Sequence, residues 1–188
     1  MQLGFYFDQT RCVGCFTCMV ACKDWHDIPA GPANWMNVEC IEEGVFPRLF
    51  VAYLIRPCYH CENPACLENC PAKAISKSAA SGIVTLDRNV CLGKKACGIC
   101  IETCPYGSPQ FGDDDNAKMQ KCDLCAERRQ QGKKPVCVDA CLMRALDAGP
   151  LDEMKEKYGE GRRAAGFSYH ARVKPSVVIK ARKDLPPI

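Results

Sequence analysis

Residues 12–22 read CVGCFTCMVAC, four cysteines separated by two, two and three residues. Three thiolates this close in sequence converge on one metal centre. The fourth, set off by about one helical turn, points away from that centre and needs another one beside it. Three more groups follow: Cys58, Cys61, Cys66, Cys70; Cys91, Cys97, Cys100, Cys104; and Cys122, Cys125, Cys137, Cys141. The first gap is 2, 2, 5 and 2 residues across the four groups and the second is 2, 4, 2 and 11, while the last is three in every group. A constant last gap beside variable earlier ones is an internal repeat.

A 4Fe-4S cubane accounts for both features. Loops between the first three ligands can lengthen, because doubling a loop costs only about 0.6 kcal/mol. The spacer before the fourth cysteine cannot, because it aims that thiolate at the neighbouring cluster, as in two-cluster ferredoxins with the CxxCxxCxxxCP run. Pro71 and Pro105 follow Cys70 and Cys104 and complete that motif. Clusters are therefore expected in pairs. Structural zinc is the main rival, but its sites take two plus two ligands, and three closely spaced thiolates at 12–18 suit it poorly.

Composition agrees with metal. Seventeen cysteines in 188 residues are about nine per cent. The number is odd, and MQLGFYFDQTRC at the N-terminus has neither a basic nor a continuous apolar leader region, so disulfides and an export signal are not expected. The longest apolar run, LFVAYLI at 49–55, is far short of the roughly 20 residues of a membrane helix, and no membrane span is expected. The formal charge of +3 counts thiols as neutral; four oxidised clusters with their ligands, at about −2 each, would bring the holoprotein to about −5. The lysines and arginines then offset cluster charge, and no aromatic residues interleave them as a nucleic-acid binder would require.

Around the cysteines, GFYF and LFVAYLI read as strands leading into cluster loops. AISKSAASGIVTLD reads as a hairpin turning at Gly82, PLDEMKEKYG as a helix with Leu151, Met154 and Tyr158 on one face, and SVVIK as an edge strand. AERRQQGKKP at 126–135 reads as a solvated helix end stopped by Gly132. No Gly-rich phosphate loop, Ser/His/Asp set or paired carboxylates stand out, so a conductor is expected rather than a catalyst.

FYFDQTRCVGCFTCMVACKDWHD, YHCENPACLENCP, CPYGSPQF, QKCDLCAERRQQGKKPVCVDAC, RALDAGPLDEM and KPSVVIKA together resemble the iron-sulfur B subunits of the dimethyl sulfoxide reductase family of molybdenum and tungsten enzymes. The resemblance covers most of the chain. It implies an α+β fold of two ferredoxin-like units, one inserted in the other, each holding two 4Fe-4S clusters, with long loops and a short C-terminal extension. On this chain the units would be 1–54 with 105–149, the inserted 55–104, and an extension at 150–188. It implies clusters on Cys12, Cys15, Cys18 with Cys141; on Cys122, Cys125, Cys137 with Cys22; on Cys58, Cys61, Cys66 with Cys104; and on Cys91, Cys97, Cys100 with Cys70. It further implies single-electron relay between a large molybdopterin-bearing catalytic subunit and a second partner such as a quinone-reactive membrane subunit. The location implied is cytoplasmic, or outside it by export with a signal-bearing partner, with any membrane association coming through a partner. A free-standing polyferredoxin is the alternative, though the residues beyond Cys141 exceed what a simple carrier uses.

Several residues call for individual readings. Counting back from Cys104 puts Lys94 where a regular motif has its first cysteine; counting forward, NVCLG keeps the resembled pattern and KKA is an insertion. Six residue steps span up to about 20 Å, so Cys91 is expected to remain a ligand, with Lys94 and Lys95 on a bulged loop. Cys40 is expected to be a buried small hydrophobe. His60, inside an intact four-cysteine group, is expected to hydrogen-bond rather than ligate. His26 and His170 have no ligand context, and Trp25 is expected to cover a cluster.

Overall fold

The computed structural model describes residues 1–182. Strand β1 (Leu3–Asp8) is buried along its whole length, as an apolar run flanked on both edges must be. It pairs antiparallel with β6 (Leu146–Pro150), from Leu3 opposite Pro150 to Phe7 opposite Leu146, and parallel with β7 (Val177–Lys180). The sheet order is β6-β1-β7, so the SVVIK strand forms an edge. A side chain at Gly4 would place its Cβ 2.4 Å from the Ser176 carbonyl oxygen, so glycine is what lets the chain before β7 approach β1. Strands β1 and β6 bracket the first and fourth cysteine groups, which brings the two ends of the cysteine pattern together.

Two hairpins lie between. Strands β4 (Ile75–Lys77) and β5 (Val84–Leu86) pair antiparallel between the second and third groups, as the sequence indicates. Strand β3 (Arg48–Ile55) pairs with β2 (Val38–Val45), a strand that the apolar pattern alone does not indicate. The inner end of this hairpin, Val38, Leu54 and Ile55, is buried, whereas Val45 and Phe46 at its tip are exposed. Cys40 lies on β2 opposite Tyr53 and is exposed, which corrects the expectation of burial. It shares a face with Val38, but that face of the strand opens to solvent at Cys40 and stays open at Glu42.

The helices are short: α1 (Thr17–Trp25), α2 (Ala65–Glu68), α3 (Ile99–Thr103), α4 (Ala126–Gln130), α5 (Val136–Asp139) and α6 (Leu151–Tyr158). Helix α6 presents Leu151, Met154 and Tyr158 to Tyr6 and Val178, and the Tyr6 and Tyr158 rings stack at 3.6 Å. It ends at Gly159. No described helix is long and apolar enough to cross a membrane.

Candidate metal centres

Four of the short helices carry cysteines into the interior. Helix α1 holds Cys18 and Cys22; α2, α3 and α5 hold Cys66, Cys100 and Cys137, with Cys70, Cys104 and Cys141 just beyond their last residues. The backbone entering each group repeats. The residue two after the first cysteine has positive φ in every group: Gly14 at 66°, His60 at 45°, Gly93 at 94° and Leu124 at 57°. The residue three after the fourth cysteine is also left-handed in three groups, Lys73, Gly107 and Arg144. Their amides bond the carbonyls of Cys70, Cys104 and Cys141 at 3.1, 3.2 and 3.1 Å. Cys22 is the exception because α1 continues past it, and its carbonyl accepts from His26 N–H at 3.2 Å. Non-glycine residues rarely adopt this conformation, so its recurrence at His60 and Leu124 marks a geometry that the site imposes. Cys91 obeys the same rule through Gly93, and Lys94–Ala96 form the surplus turn after it.

The cysteines gather in four sets. Site I is a recess lined by Cys12, Cys15, Cys18 and Cys141 among Phe7, Val38 and Ile55, about 370 Å³ with the adjoining open solvent counted in. Site II brings Cys22 together with Cys122, Cys125 and Cys137, whose charges act on one another. Site III, about 390 Å³, is lined by Cys58, Cys61, Cys66 and Cys104 beside Tyr59 and Tyr106. Site IV, about 340 Å³, is lined by Cys70, Cys91, Cys97 and Cys100 beside Phe111 and Met119. The sites follow one another in series, near enough for their thiols to influence one another electrostatically: Cys18 of site I acts on Cys22 and Cys137, Cys58 of site III on Cys122, and Cys100 of site IV on Cys66.

Thiols packed this way resist ionising. Burial, then repulsion from Cys12, Cys141 and Cys15, pushes Cys18 up to about 12. Burial with Cys125 and Asp123 does the same to Cys22, also about 12. Cys66 reaches about 12 through burial, Cys58 and Cys104, and Cys100 about 11 through burial and Cys91. Burial drives Cys122 and Cys137 well above the ordinary range. Cys15 goes the other way, lowered by hydrogen bonds from the Thr17 hydroxyl and amide. Backbone amides point at several sulfurs: Leu124 N–H donates to Cys122 Sγ and Ala145 N–H to Cys141 Sγ, both at 3.3 Å, and Val136 N–H to Cys125 Sγ at 3.4 Å.

The sulfur spacing decides which metal chemistry fits. Four sulfurs on a tetrahedral zinc at about 2.3 Å lie about 3.8 Å apart. Among the described residues, no three cysteine sulfurs lie within 4.8 Å of one another. The sets are too wide for one zinc ion and suit a larger group held at its corners. Among the described residues the one trio of metal-ligating groups closer than that is His26, Asp123 and Cys125, which shares Cys125 with site II.

The 4Fe-4S dicluster domain family matches residues 49–151. Along almost its whole length the chain is similar to the B subunit of the anaerobic dimethyl sulfoxide reductase of Escherichia coli (strain K12), with 39% identity over 99% of this chain and 92% of that one. The corresponding subunit of Haemophilus influenzae is 38% identical over 97% of this chain and 90% of its own. The chain belongs to the iron-sulfur B subunits of the dimethyl sulfoxide reductase family. Protein NrfC of E. coli (strain K12) is also similar, at 34% identity over 81% of this chain and 67% of NrfC. As a B subunit, the chain is an electron-transfer protein carrying 4Fe-4S clusters, and the donor set described above fits them: sulfur ligands in apolar recesses, with amides directed at the sulfurs.

Three polar residues in these walls gain meaning from the structure. His60 is fully buried; its Nδ1 accepts from Val84 N–H at 3.1 Å and lies 3.9 Å from Cys58 Sγ, while Nε2 has no partner among the described residues. Burial, then the charges of Lys121 and Arg129, holds it neutral. His26 lies with Nε2 3.4 Å from Cys125 Sγ, so the expectation that gave it no ligand context is corrected. Its distance in sequence from Cys125 hid that contact. Trp25 is 37% exposed, with the Arg128 guanidinium 4.8 Å from its ring. His170 packs edge-on to Tyr106. Lys121, buried beside site III, carried no distinguishing sequence signal beyond its place before Cys122.

Proposed function

We propose that the chain holds four 4Fe-4S clusters, one at each site, and relays single electrons between a large molybdopterin-bearing catalytic subunit and a second redox partner, such as a quinone-reactive membrane subunit. When bound, each cluster takes up and releases one electron. The ligands would be Cys12, Cys15, Cys18 and Cys141 at site I; Cys22, Cys122, Cys125 and Cys137 at site II; Cys58, Cys61, Cys66 and Cys104 at site III; and Cys70, Cys91, Cys97 and Cys100 at site IV. The outer unit would comprise 1–54 and 105–149, the inserted unit 55–104, and the extension 150–188.

One observation carries the reading: the sites form a line whose ends are open and apolar. Site I reaches the surface at exposed Cys15 among exposed Val13, Phe16, Leu142 and Met143. Site IV does so at exposed Cys97 with exposed Leu92 and Ile99. All four site II cysteines are buried, as is Cys58 of site III. A line with two exposed apolar ends fits two docking partners, and the sealed site II within it keeps water from its own thiolates. Tyr59, Tyr106 and Phe167 pack ring to ring beside site III, at 5.0 to 5.6 Å, and hold its wall.

Native purification at low salt tests the proposal. The expected product is a complex containing a large molybdenum or tungsten subunit, with about sixteen irons contributed by this chain as four clusters of four. An iron-loaded monomer with no such subunit would overturn the two-partner reading in favour of a free polyferredoxin.

A further inference from the structure

Lys121 is 5% exposed. Its ammonium donates to the carbonyl of Val84 and to that of Cys122, the latter at 3.0 Å. Among the described residues no carboxylate forms an ion pair with it. Taking an ammonium out of water costs several kcal/mol unless an opposite charge stands near, and two carbonyl dipoles replace that charge incompletely.

The position of Lys121 suggests where the opposite charge lies. Its side chain lines the site III recess with Cys58, Cys61, Cys66 and Cys104, and its charge opposes the upward push on Cys66. One of its two carbonyl partners belongs to Cys122, a site II cysteine that feels Cys58 across the boundary. Val84 receives Lys121 at its carbonyl and gives its N–H to His60. Lys121 is thus a buried cation set between two sulfur-lined sites.

We propose that Lys121 is the shared counter-charge of sites II and III, holding the reduction potentials of the two middle clusters above those the same ligands would give without it. Reduction adds one negative charge to a cluster, and a nearby fixed cation stabilises the reduced form more than the oxidised one. No bond forms or breaks; the arriving electron is the whole change. The effect falls with distance, so sites I and IV feel it less. The inference rests on the four-cluster reading.

Redox titration followed by EPR, on the chain purified with its partners and assayed for iron and sulfide, compares the native protein with Lys121→Met, Lys121→Gln and Lys121→Arg. Met removes charge and hydrogen bonds, Gln removes charge alone, and Arg keeps the charge. In Met and Gln, two of the four couples shift so that the oxidised-to-reduced ratio at fixed potential rises at least tenfold, about 59 mV for a one-electron couple. Arg stays near native. Unshifted couples in Met and Gln, equal shifts of all four couples, or an Arg shift as large as that of Met would overturn the proposal. If the neutral variants lose iron, full loading in Arg supports the counter-charge, and loss in all three variants reduces Lys121 to a packing role. Fewer than four couples in the native protein would count against the four-cluster reading; Lys121 is then judged by whether the remaining couples shift in Met and Gln but not in Arg.

Discussion

Sites II and IV share the left-handed turn after the first cysteine and the three-residue spacer, yet one is sealed and the other open. At site II, Cys22, Cys122, Cys125 and Cys137 are all buried; at site IV only Cys100 is, and Cys97 is exposed. Each contains an irregular gap. The eleven residues after Cys125 form α4 and fold back, with Arg129 Nε donating to Leu124 O at 2.9 Å and Arg128 bonded to Asp139. The surplus turn at Lys94–Ala96 instead sits at the surface, its amides reaching Ala117 and Asp115 carbonyls. Gap length does not set burial; what the loop packs against does.

Cysteine replacement should break this symmetry most strongly. Cys137→Ser puts a hard oxygen into a sealed site between two neighbours, and more than one cluster's iron is expected to be lost along with much of the folded yield. Cys97→Ser at the open end should cost site IV a single iron, giving a 3Fe-4S EPR signal while the other sites stay loaded. Equal iron losses in the two variants would erase the distinction.

Glycines offer a second contrast. Gly14 has φ of 66°, and a Cβ there would fall 2.2 Å from Tyr53 Cε1. Gly132 has a similar φ of 71° with nothing near. Gly14→Ala should therefore destabilise by about 2–5 kcal/mol, combining left-handed strain with overpacking, and Gly132→Ala by about 1–2 kcal/mol from strain alone. Thermal unfolding of the two variants checks the ranking.

Acid should loosen the clusters. With Cys18, Cys22 and Cys66 held at about 12 and Cys100 at about 11, the metal-free thiols are protonated at neutral pH. Loading then releases protons, and the metal-free form gains as pH falls. Iron transfer to a chelator should become more favourable from about pH 8 to about pH 6, and transfer independent of pH over that window would contradict the thiol shifts.

The smallest effect belongs to the surplus turn. Lys95 and Asp115 pair at 3.1 Å with side chains 72% and 76% exposed, so Lys95→Ala should cost under about 0.5 kcal/mol. Excising residues 94–96 should leave the iron content of site IV unchanged. Loss of that cluster on excision would give the bulge a structural duty.

Much of this was legible in the sequence because metal ligation constrains spacing tightly. The three-residue spacer appears as the helix turn leading to each fourth cysteine, and β1, β3, the β4–β5 hairpin, α6 and β7 follow from their apolar patterns. Strand β2 was missed because VECIEEGV carries three glutamates and leaves most of one face exposed, so its strand character comes from pairing with β3. Positive φ at His60, Leu124 and Arg144 has no sequence signature, since no glycine marks it. The placement of His26 and Lys121 likewise depends on which distant cysteines they meet, and local spacing is silent on that.

Helix α1 has one further consequence. It carries Cys18 toward site I and Cys22 toward site II, four residues apart on a rigid rod. Ordering either end fixes the other to within a side chain's reach, so on the four-cluster reading a ligand set in place at one site carries a ligand of the next with it.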